Sequence, residues 1–431
     1  MRARVEVLEE ARARVQAQAR AGRYEEGLLR ASEVVEAARD VGHPPLLAGA
    51  LLDRAALARR QGRLHDGAED LREAWSLALS AGDDALAAEI GVDLVFVLGH
   101  AMRVDEADMR TEEARAMIGR VRRHDPRNAE ALDANLDEAR GTIELRHHRY
   151  AEAVELYERA LAVVERQAGP EGLRTAQALN AIASARLPAR QWDEALALFE
   201  RVLRIRSKQL GPAHPETAQT RNNIGLTLKN MGRLEEAAAQ LEQARTLVIA
   251  SLGPAHPSRR MAEMNLADVY YMQERYREAA DLYTLAFGPE GVEAIDNEWE
   301  LRRATHYGMS LAATGRLSQA RRVLGLVHAR AGVLASPYTV RVIELELARI
   351  ELGLGRPTLA LTLIEQMTPP EADLPDAVTL DLVLTRARAL AARGELQRAR
   401  ALQPAIQAGA GKLMHPEDLE QLLVWFDEDP P

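Results

Sequence analysis

The sequence predicts an all-α solenoid of about ten helical hairpins that ends in a C-terminal capping helix. The signature Gly-Arg-Leu-Glu-Glu-Ala at Gly232 to Ala237 recurs in degenerate form along the chain. The residues that follow the Arg position of the successive copies are Tyr24, Leu64, Val104, Tyr150, Trp192, Leu234, Tyr276, Leu317, Pro357 and Leu396. Successive copies are 39 to 46 residues apart, and so steady a period is typical of stacked repeats.

Composition supports this class and limits the chemistry. Hydrophobic residues make up 47% of the 431 residues but aromatic residues only 4%, so Leu, Ala and Val must supply most of the core. The chain has no cysteine, which excludes disulfides, thiolate nucleophiles and Cys-ligated zinc. No apolar run reaches the roughly 18 residues of a membrane span, and the first residues indicate an amphipathic helix rather than a secretory signal. We expect a cytoplasmic protein without membrane contact.

The charge distribution argues against a nucleic-acid partner. The net charge is -10, and six carboxylates lie in the tail from Pro416 to Pro431. The densest basic stretch, Arg120 to Arg127, has no interleaved aromatic residue and lies between repeats with acidic neighbours. We therefore expect no nucleic-acid binding. The sequence favours a monomer without determining the oligomeric state.

Each repeat is predicted to be a hairpin of two helices. In the most regular copy, residues 216–230 form an amphipathic helix, residues 231–233 interrupt it, and residues 234–251 form a longer second helix. Gly232 can adopt the left-handed conformation that ends a helix. Small residues, such as Gly225 and Ala237, recur twelve positions apart in successive repeats and indicate a close crossing of the two helices.

Two identical linkers separate the central repeats. The hexapeptide Leu-Gly-Pro-Ala-His-Pro occurs at Leu210 to Pro215 and again at Leu252 to Pro257. Each second proline suits the first turn of a helix, where a missing N–H costs nothing. We expect the preceding histidines, His214 and His256, to cap those helices.

The predicted organisation is one solenoid over residues 1–411, most regular over 130–290, followed by a capping helix and acidic tail over 412–431. The capping helix is expected from Pro416 to Phe426, where Leu419, Leu422 and Leu423 would close the core.

The repeats resemble tetratricopeptide repeats, in the 42-residue form of kinesin light chain and many bacterial signalling proteins. The family's small residue, turn aromatic, Glu-Ala pair and late aromatic correspond to Ala267, Tyr276, Glu278-Ala279 and Tyr283. The resemblance implies a right-handed superhelix whose first helices line a concave groove that binds extended peptides or a partner's helix. It also implies a protein-protein interaction scaffold.

A second resemblance is to the region that follows the kinase domain in multidomain bacterial serine/threonine kinases. It rests on Ala21-Gly-Arg-Tyr24 and on the segment from Ala38 to Leu47. It implies a regulatory or docking arm of a signalling kinase. No kinase glycine loop, Walker loop, nucleophile elbow or His-Glu-x-x-His helix occurs in the sequence.

We predict no enzyme activity, no cofactor and no metal. The adjacent His147 and His148 point about 100° apart on a helix and share a metal poorly. The alternative is that they lie in solvent at a helix end.

A partner is predicted to bind the groove of repeats five to seven, because amides offer both donors and acceptors to a peptide backbone and Met and Tyr add adaptable apolar contact. The candidate binding residues are Gln177, Asn180, Gln219, Asn222, Lys229, Asn230, Met264, Asp268 and Tyr271. For Asn223 and Asn265, which lie one step around the helix, we favour a role in tying one repeat to the next.

Two other functions remain open on the sequence alone. One is a receptor whose groove closes around a small molecule or peptide signal. The other is a structural scaffold that assembles with itself.

Overall fold

A computed structural model describes residues 2–253, 256–288, 291–293, 295–367 and 376–413. These residues form 21 helices and no strand, which confirms the all-α prediction. The chain divides into two compact units, unit 1 from Met1 to Ala262 and unit 2 from Glu263 to Pro431. Within the described ranges, no helix is both long enough and apolar enough to cross a membrane.

The helices pair into ten hairpins, each made of an odd-numbered first helix and an even-numbered second helix. The first helices are α1 (Arg2–Arg20), α3 (Pro44–Arg60), α5 (Asp84–His100), α7 (Pro126–Arg146), α9 (Leu173–Arg186), α11 (Pro215–Asn230), α13 (Pro257–Met272), α15 (Glu298–Ala313), α17 (Pro337–Gly353) and α19 (Asp376–Ala392). The second helices are α2 (Tyr24–Val41), α4 (Leu64–Ala81), α6 (Val104–Val121), α8 (Tyr150–Ala168), α10 (Trp192–Gln209), α12 (Leu234–Leu252), α14 (Tyr276–Phe287), α16 (Leu317–Leu334), α18 (Pro357–Gln366) and α20 (Leu396–Arg400). A last helix, α21 (Gln403–Leu413), follows the tenth hairpin.

All ten hairpin turns contain one left-handed residue just before the signature's Arg position. Glycine occupies that position in six turns, at Gly22, Gly62, Gly232, Gly315, Gly355 and Gly394. In the other four turns Met102, His148, Arg190 and Glu274 have positive φ values between 59° and 61°. A side chain in this conformation costs energy because Cβ approaches the carbonyl oxygen. The turn geometry is therefore common to every hairpin, even where the sequence lacks glycine.

The close helix crossing expected from the small residues is present. A Cβ atom added to Gly225 would lie 2.6 Å from the Cγ of Leu241 and 3.2 Å from the carbonyl oxygen of Ala237. In the fourth hairpin a Cβ on Gly141 would lie 2.6 Å from the Tyr157 ring. Glycine at these positions lets the two helices of each hairpin, α11 with α12 and α7 with α8, pack so closely that no Cβ atom fits between them.

The two repeated linkers start helices as predicted. The Nδ1 atom of His214 accepts a hydrogen bond from the Glu216 N–H at 3.2 Å, and Pro215 is the first residue of α11. The Nδ1 atom of His256 accepts from the Ser258 N–H at 3.1 Å. The predicted capping role of both histidines is confirmed.

Unit 1 returns on itself after five hairpins. The turn of the first hairpin contacts the start of α11, where the Nε2 atom of His214 lies 3.3 Å from the Arg20 carbonyl oxygen. A Cβ on Gly22 would lie 2.9 Å from the Cδ of Pro215. Next to this contact, the Nη1 atom of Arg60 lies 2.7 Å from the Glu216 Oε1 atom. The first and second hairpins of unit 1 thus contact the sixth.

Unit 2 contains a buried polar cluster in its first hairpins. Arg303, which is only 2% exposed, pairs with Asp268 at 2.8 Å and donates to the Asn265 Oδ1 atom at 2.6 Å. The Tyr283 hydroxyl donates to the other Asp268 oxygen at 2.6 Å. Because a buried charge is costly unless paired, this cluster fixes the relative position of α13, α14 and α15.

The C-terminal part of unit 2 is closed by α21, whose Ile406 and Ala410 pack against Leu380, Val383 and Ala387 of α19. The capping helix predicted at Pro416 to Phe426 lies outside the described residues.

Candidate functional site

The first helices of hairpins two to six enclose a cavity of about 300 Å³ in unit 1. Side chains from α3, α5, α7, α9 and α11 face it, with Tyr157 of α8 and Arg206 of α10. Its polar and aromatic lining residues are Arg59, Arg60, Phe96, His100, Glu138, Thr142, Arg146, Tyr157, Gln177, Asn180, Ser184, Arg206, Glu216 and Gln219. We call this space the inner cavity.

One wall of the inner cavity is a stack of three side chains. The guanidinium carbon of Arg59 lies 5.0 Å from the centre of the Phe96 ring. The rings of Phe96 and His100 have centroids 4.3 Å apart. The cation-π contact holds the Arg59 guanidinium in place without neutralising its charge.

A shared ion pair forms another wall. Glu216 lies 2.7 Å from Arg60 and 3.3 Å from Arg206, so one carboxylate serves two guanidinium groups. Arg206, which is 5% exposed, also donates from Nη1 to the Thr220 hydroxyl at 2.9 Å. Its buried Nε atom has no hydrogen-bond partner among the described residues.

The second acidic residue of the lining is also engaged. Glu138 pairs with Arg174 of α9 at 3.4 Å, and Arg174 donates to the Asn135 side chain at 2.5 Å. Burial raises the pKa of Glu138, and Arg174 opposes that rise. Both lining carboxylates therefore already have cationic partners.

Burial also lowers the pKa of the imidazole in this cavity. The Nδ1 atom of His100 lies 3.0 Å from the Phe96 carbonyl oxygen. Burial lowers the pKa of His100, its bond to Phe96 opposes this, and the charges of Arg59 and Arg146 lower it further. Both arginines therefore act electrostatically on this one ring.

A second, smaller cavity of about 220 Å³ lies next to the contact between the first and sixth hairpins. Tyr24 of α2 and Asn222 of α11 line it, with the apolar side chains of Val248 and Leu252.

The structure places the unit 1 candidates at different positions along α9 and α11. Gln177, Asn180 and Gln219 line the inner cavity, and Gln219 and Asn222 line the second cavity. Lys229 and Asn230 lie in the last turn of α11, and the Asn230 side chain is exposed.

The unit 2 candidates have other surroundings. Met264 is 1% exposed, and Asp268 belongs to the buried cluster with Arg303. The Tyr271 ring stacks on His306 with centroids 4.2 Å apart, and its hydroxyl donates to the Met309 sulfur at 3.3 Å. In this conformation Met264 and Asp268 serve the packing of unit 2. Partner binding by all nine candidates remains a prediction.

The asparagines assigned to repeat contacts make those contacts. The Asn223 amide donates to the Asn180 Oδ1 atom at 3.3 Å, joining α11 to α9. Asn265 of α13 accepts from Arg303 of α15. The predicted tie between successive repeats is confirmed at both positions.

Sequence reasoning missed Arg59, Phe96, His100 and Arg146. Arg59, Phe96 and His100 lie in hairpins two and three, before the most regular repeats, and Arg146 lies in hairpin four, outside repeats five to seven where a partner was expected. A signal was present nonetheless, because Arg59 precedes Gly62 by three residues just as the candidate Lys229 precedes Gly232.

The two histidines of the adjacent pair make separate contacts. His147 lies 3.7 Å from the Asp108 carboxylate, whereas His148 contacts the Tyr150 hydroxyl at 2.9 Å. No group of three or more metal-ligating side chains occurs within the part of the chain that the structure describes.

Comparison with known proteins identifies the repeats. The family model described as tetratricopeptide repeat matches residues 132–190, 181–250 and 222–287. Residues 132–287 are thus similar to tetratricopeptide repeats. These repeats are typically non-catalytic interaction modules, and no catalytic family is indicated. No curated protein is significantly similar in sequence.

Solved structures share the repeat fold. A Rap protein complexed with competence and sporulation factor is 14% identical, with 88% of this chain and 100% of that chain covered, at a TM-score of 0.50. A signal transduction ATPase from Pyrococcus horikoshii with a tetratricopeptide repeat sensor is 12% identical, with 75% and 47% covered, also at 0.50. Repeats of a putative kinesin light chain from Podosopora anserina are 24% identical, with 46% and 93% covered, at 0.39. At these identities the similarity concerns the fold alone.

Proposed function

We propose that unit 1 captures an extended segment of a partner protein in the inner cavity. The observation that carries this proposal is that Gln177, Asn180 and Gln219 line one space together with side chains from five successive hairpins. A volume of about 300 Å³ is at the lower end of the roughly 300–1,000 Å³ of ligand sites. A short stretch of backbone with one or two side chains suits such a space.

The hydrogen bond of the Asn180 side chain supports this role. Its Oδ1 atom accepts from Asn223, so its amide NH₂ group is left to donate to a ligand. The described residues provide no hydrogen-bond partner for that NH₂ group. Donation to a backbone carbonyl is tolerant of the ligand's side chains, as capture of an extended segment requires.

The neighbouring structures are compatible with this function. One is a Rap protein complexed with competence and sporulation factor, and another carries its repeats as a sensor. The proposal for this chain is that its repeats also bind a specific partner.

Selection from a displayed library of random linear peptides tests the proposal. Peptides enriched on the full chain are expected to bind the Gln177→Ala/Asn180→Ala/Gln219→Ala variant at least about tenfold more weakly, because several polar contacts are lost. Gln243→Ala, at an exposed position on α12, is the matched control and should bind normally. Unchanged peptide affinity in a triple variant with a native circular dichroism spectrum would contradict the proposal.

A second candidate function is a ligand-sensing receptor. The contact of Arg60 with Glu216 favours it, because a ligand in the inner cavity would alter the spacing of the hairpins that this ion pair joins. This function requires a ligand-dependent rise in melting temperature and a change in small-angle scattering. A ligand that binds with neither effect would count against it.

Three finer assignments are part of the proposal and are tested separately. A kinase domain immediately upstream in the reading frame would support the regulatory arm of a bacterial signalling kinase, and its absence would count against that role. Cell fractionation tests the cytoplasmic location. Light scattering at high protein concentration distinguishes a monomer from a self-assembling scaffold.

A further inference from the structure

We propose that the inner cavity binds an oxyanion between Arg59, His100 and Arg146, and that the captured partner segment supplies it as a carboxylate. This inference rests on the proposed function, because it names the chemistry that the inner cavity recognises.

The charge of the lining is the first argument. Four arginines face the cavity, at positions 59, 60, 146 and 206, against two carboxylates. Glu216 is shared by Arg60 and Arg206, and Glu138 pairs with Arg174. The lining therefore contains a cationic excess that its own acidic residues do not neutralise.

The excess is located on Arg59 and Arg146. Neither side chain forms an ion pair or a hydrogen bond with any residue in the described ranges. They lie at the C-terminal ends of the first helices α3 and α7, which come before and after α5 in the stack of first helices. Both line the same cavity as His100, which ends α5, and Arg59 stacks on the Phe96 ring that itself stacks on His100.

Asp93 is the acidic residue with which an external oxyanion would compete. It lies on α5, within electrostatic reach of Arg59, but forms no ion pair with it. Burial raises the pKa of Asp93, and the charges of Arg59 and Arg174 oppose that rise. The burial of Arg59 lowers its pKa as well. An incoming carboxylate able to approach the guanidinium closely would satisfy a charge that Asp93 leaves unpaired.

His100 completes the site. Its Nδ1 atom faces the Phe96 carbonyl oxygen, so the proton of the neutral ring lies on Nδ1. Protonation of Nε2 turns that atom into a donor, and burial and the charges of Arg59 and Arg146 disfavour this protonation. A bound oxyanion reverses this effect, so binding should be accompanied by proton uptake at His100.

The buried Nε atom of Arg206 is an independent sign that this region is under-satisfied. Arg206 lines the same cavity and is 5% exposed, yet that nitrogen has no acceptor in the described residues. Buried donors are normally hydrogen-bonded. That nitrogen is itself inaccessible, so it indicates an unsatisfied donor within the cavity wall and not a contact for the ligand.

Titration calorimetry of the full chain with glutarate and with inorganic phosphate tests the proposal, at an ionic strength fixed with sodium chloride. We expect saturable binding of glutarate, weakened at least about tenfold in Arg59→Gln/Arg146→Gln through loss of two charge-assisted contacts. The matched control, Arg123→Gln/Arg127→Gln, removes two exposed arginines from unit 1 and should bind normally. Proton uptake, measured in buffers of different ionisation enthalpy, should disappear in His100→Gln.

Each result has a defined meaning. Tighter binding of phosphate than of glutarate would assign the site to phosphate and overturn the carboxylate source. Absence of binding by both anions, or equal binding by the wild type and a folded Arg59→Gln/Arg146→Gln variant, would overturn the site. If the double variant unfolds, Arg59→Lys and Arg146→Lys keep the charge and should lower affinity while preserving the fold, because lysine lacks the bidentate geometry.

The outcome is distinguishable from failure of the proposed function. Selected peptides that depend on Gln177 and Asn180 but bind normally to Arg59→Gln/Arg146→Gln would leave segment capture standing and remove the oxyanion site. Glutarate binding without enrichment of any peptide would leave the oxyanion site standing and remove segment capture.

Discussion

Arg60 and Glu216 lie 2.7 Å apart although they belong to α3 and α11 of unit 1. The same carboxylate lies 3.3 Å from the buried Arg206. In a simple repeat array each hairpin contacts only its neighbours. Unit 1 departs from that rule, because its second and sixth hairpins are in contact. The ion pairs of Glu216 with Arg60 and Arg206 form one wall of the inner cavity.

The Glu216→Gln variant should destabilise unit 1. It removes the charge that compensates Arg206, and loss of hydrogen bonds between charged groups should cost about 2–3 kcal/mol. Chemical unfolding followed by circular dichroism measures this difference. Glu130→Gln is the control, because Glu130 pairs with Arg166 at an exposed site where ion pairs contribute little. Equal stability of the two variants would show that Glu216 does not hold the sixth hairpin to the second.

The non-glycine turns offer a stabilising substitution. Met102→Gly should raise the free energy of unfolding by about 1 kcal/mol, because Met102 has φ 61° and strain at that angle is relieved by glycine. Met109 is the matched control: it is 66% exposed, against 65% for Met102, but lies within the helix α6. Met109→Gly should destabilise by about 1 kcal/mol. A Met102→Gly variant less stable than the wild type would contradict this account of the turn.

The helix crossing in the sixth hairpin should not tolerate a methyl group. Gly225→Ala brings a Cβ to 2.6 Å from Leu241, and overpacking of this kind costs about 1–3 kcal/mol. Gly119→Ala is the control, because a Cβ there meets nothing within 4 Å and alanine favours the helix by about 1 kcal/mol. Thermal unfolding should move in opposite directions for the two variants. Movement in the same direction would exclude a tight contact at Gly225.

His100 should make stability depend on pH. Its pKa in the folded chain lies below the ordinary value of 6.5, so the unfolded chain binds the proton more readily. The contribution of His100 is fully present above the unfolded pKa and is lost as pH falls towards the folded pKa. Between about pH 7.5 and 5.5, the wild type should lose more stability than His100→Gln does. Part of the slope will remain in the variant, because burial also lowers the pKa of His214 and His256. Identical slopes in the two proteins would contradict the assignment to His100.

The fold was predictable because its signals are local. A left-handed residue just before each signature Arg position fixes the hairpin period, and the spacing remains readable where Met102 or Glu274 replaces glycine. The capping histidines, His214 and His256, were likewise evident from the proline that follows each of them. Such features depend on a few adjacent residues and therefore survive in a single sequence.

The site was only partly predictable, because it depends on which distant helices meet. Gln177, Asn180 and Gln219 were found by their face on α9 and α11, whereas Arg59 and Arg146 lie in hairpins two and four, outside repeats five to seven where a partner was expected. The return of the first hairpin to the sixth depends on small rotations between successive repeats. The periodic pattern of the sequence does not give these rotations, so it does not predict that the first and sixth hairpins meet.

The contact between His214 and the Arg20 carbonyl has a consequence for folding kinetics. It joins residues 194 positions apart, whereas an open array of hairpins gains its stability from local contacts and can grow from any point along the chain. Closing so long a loop lowers the conformational entropy of the chain before the contact contributes any favourable free energy. The hairpins of unit 1 should therefore form quickly, and the contact between the first and sixth hairpins should form slowly. Refolding should then show a late phase in which every helix of unit 1 is formed but the inner cavity is not.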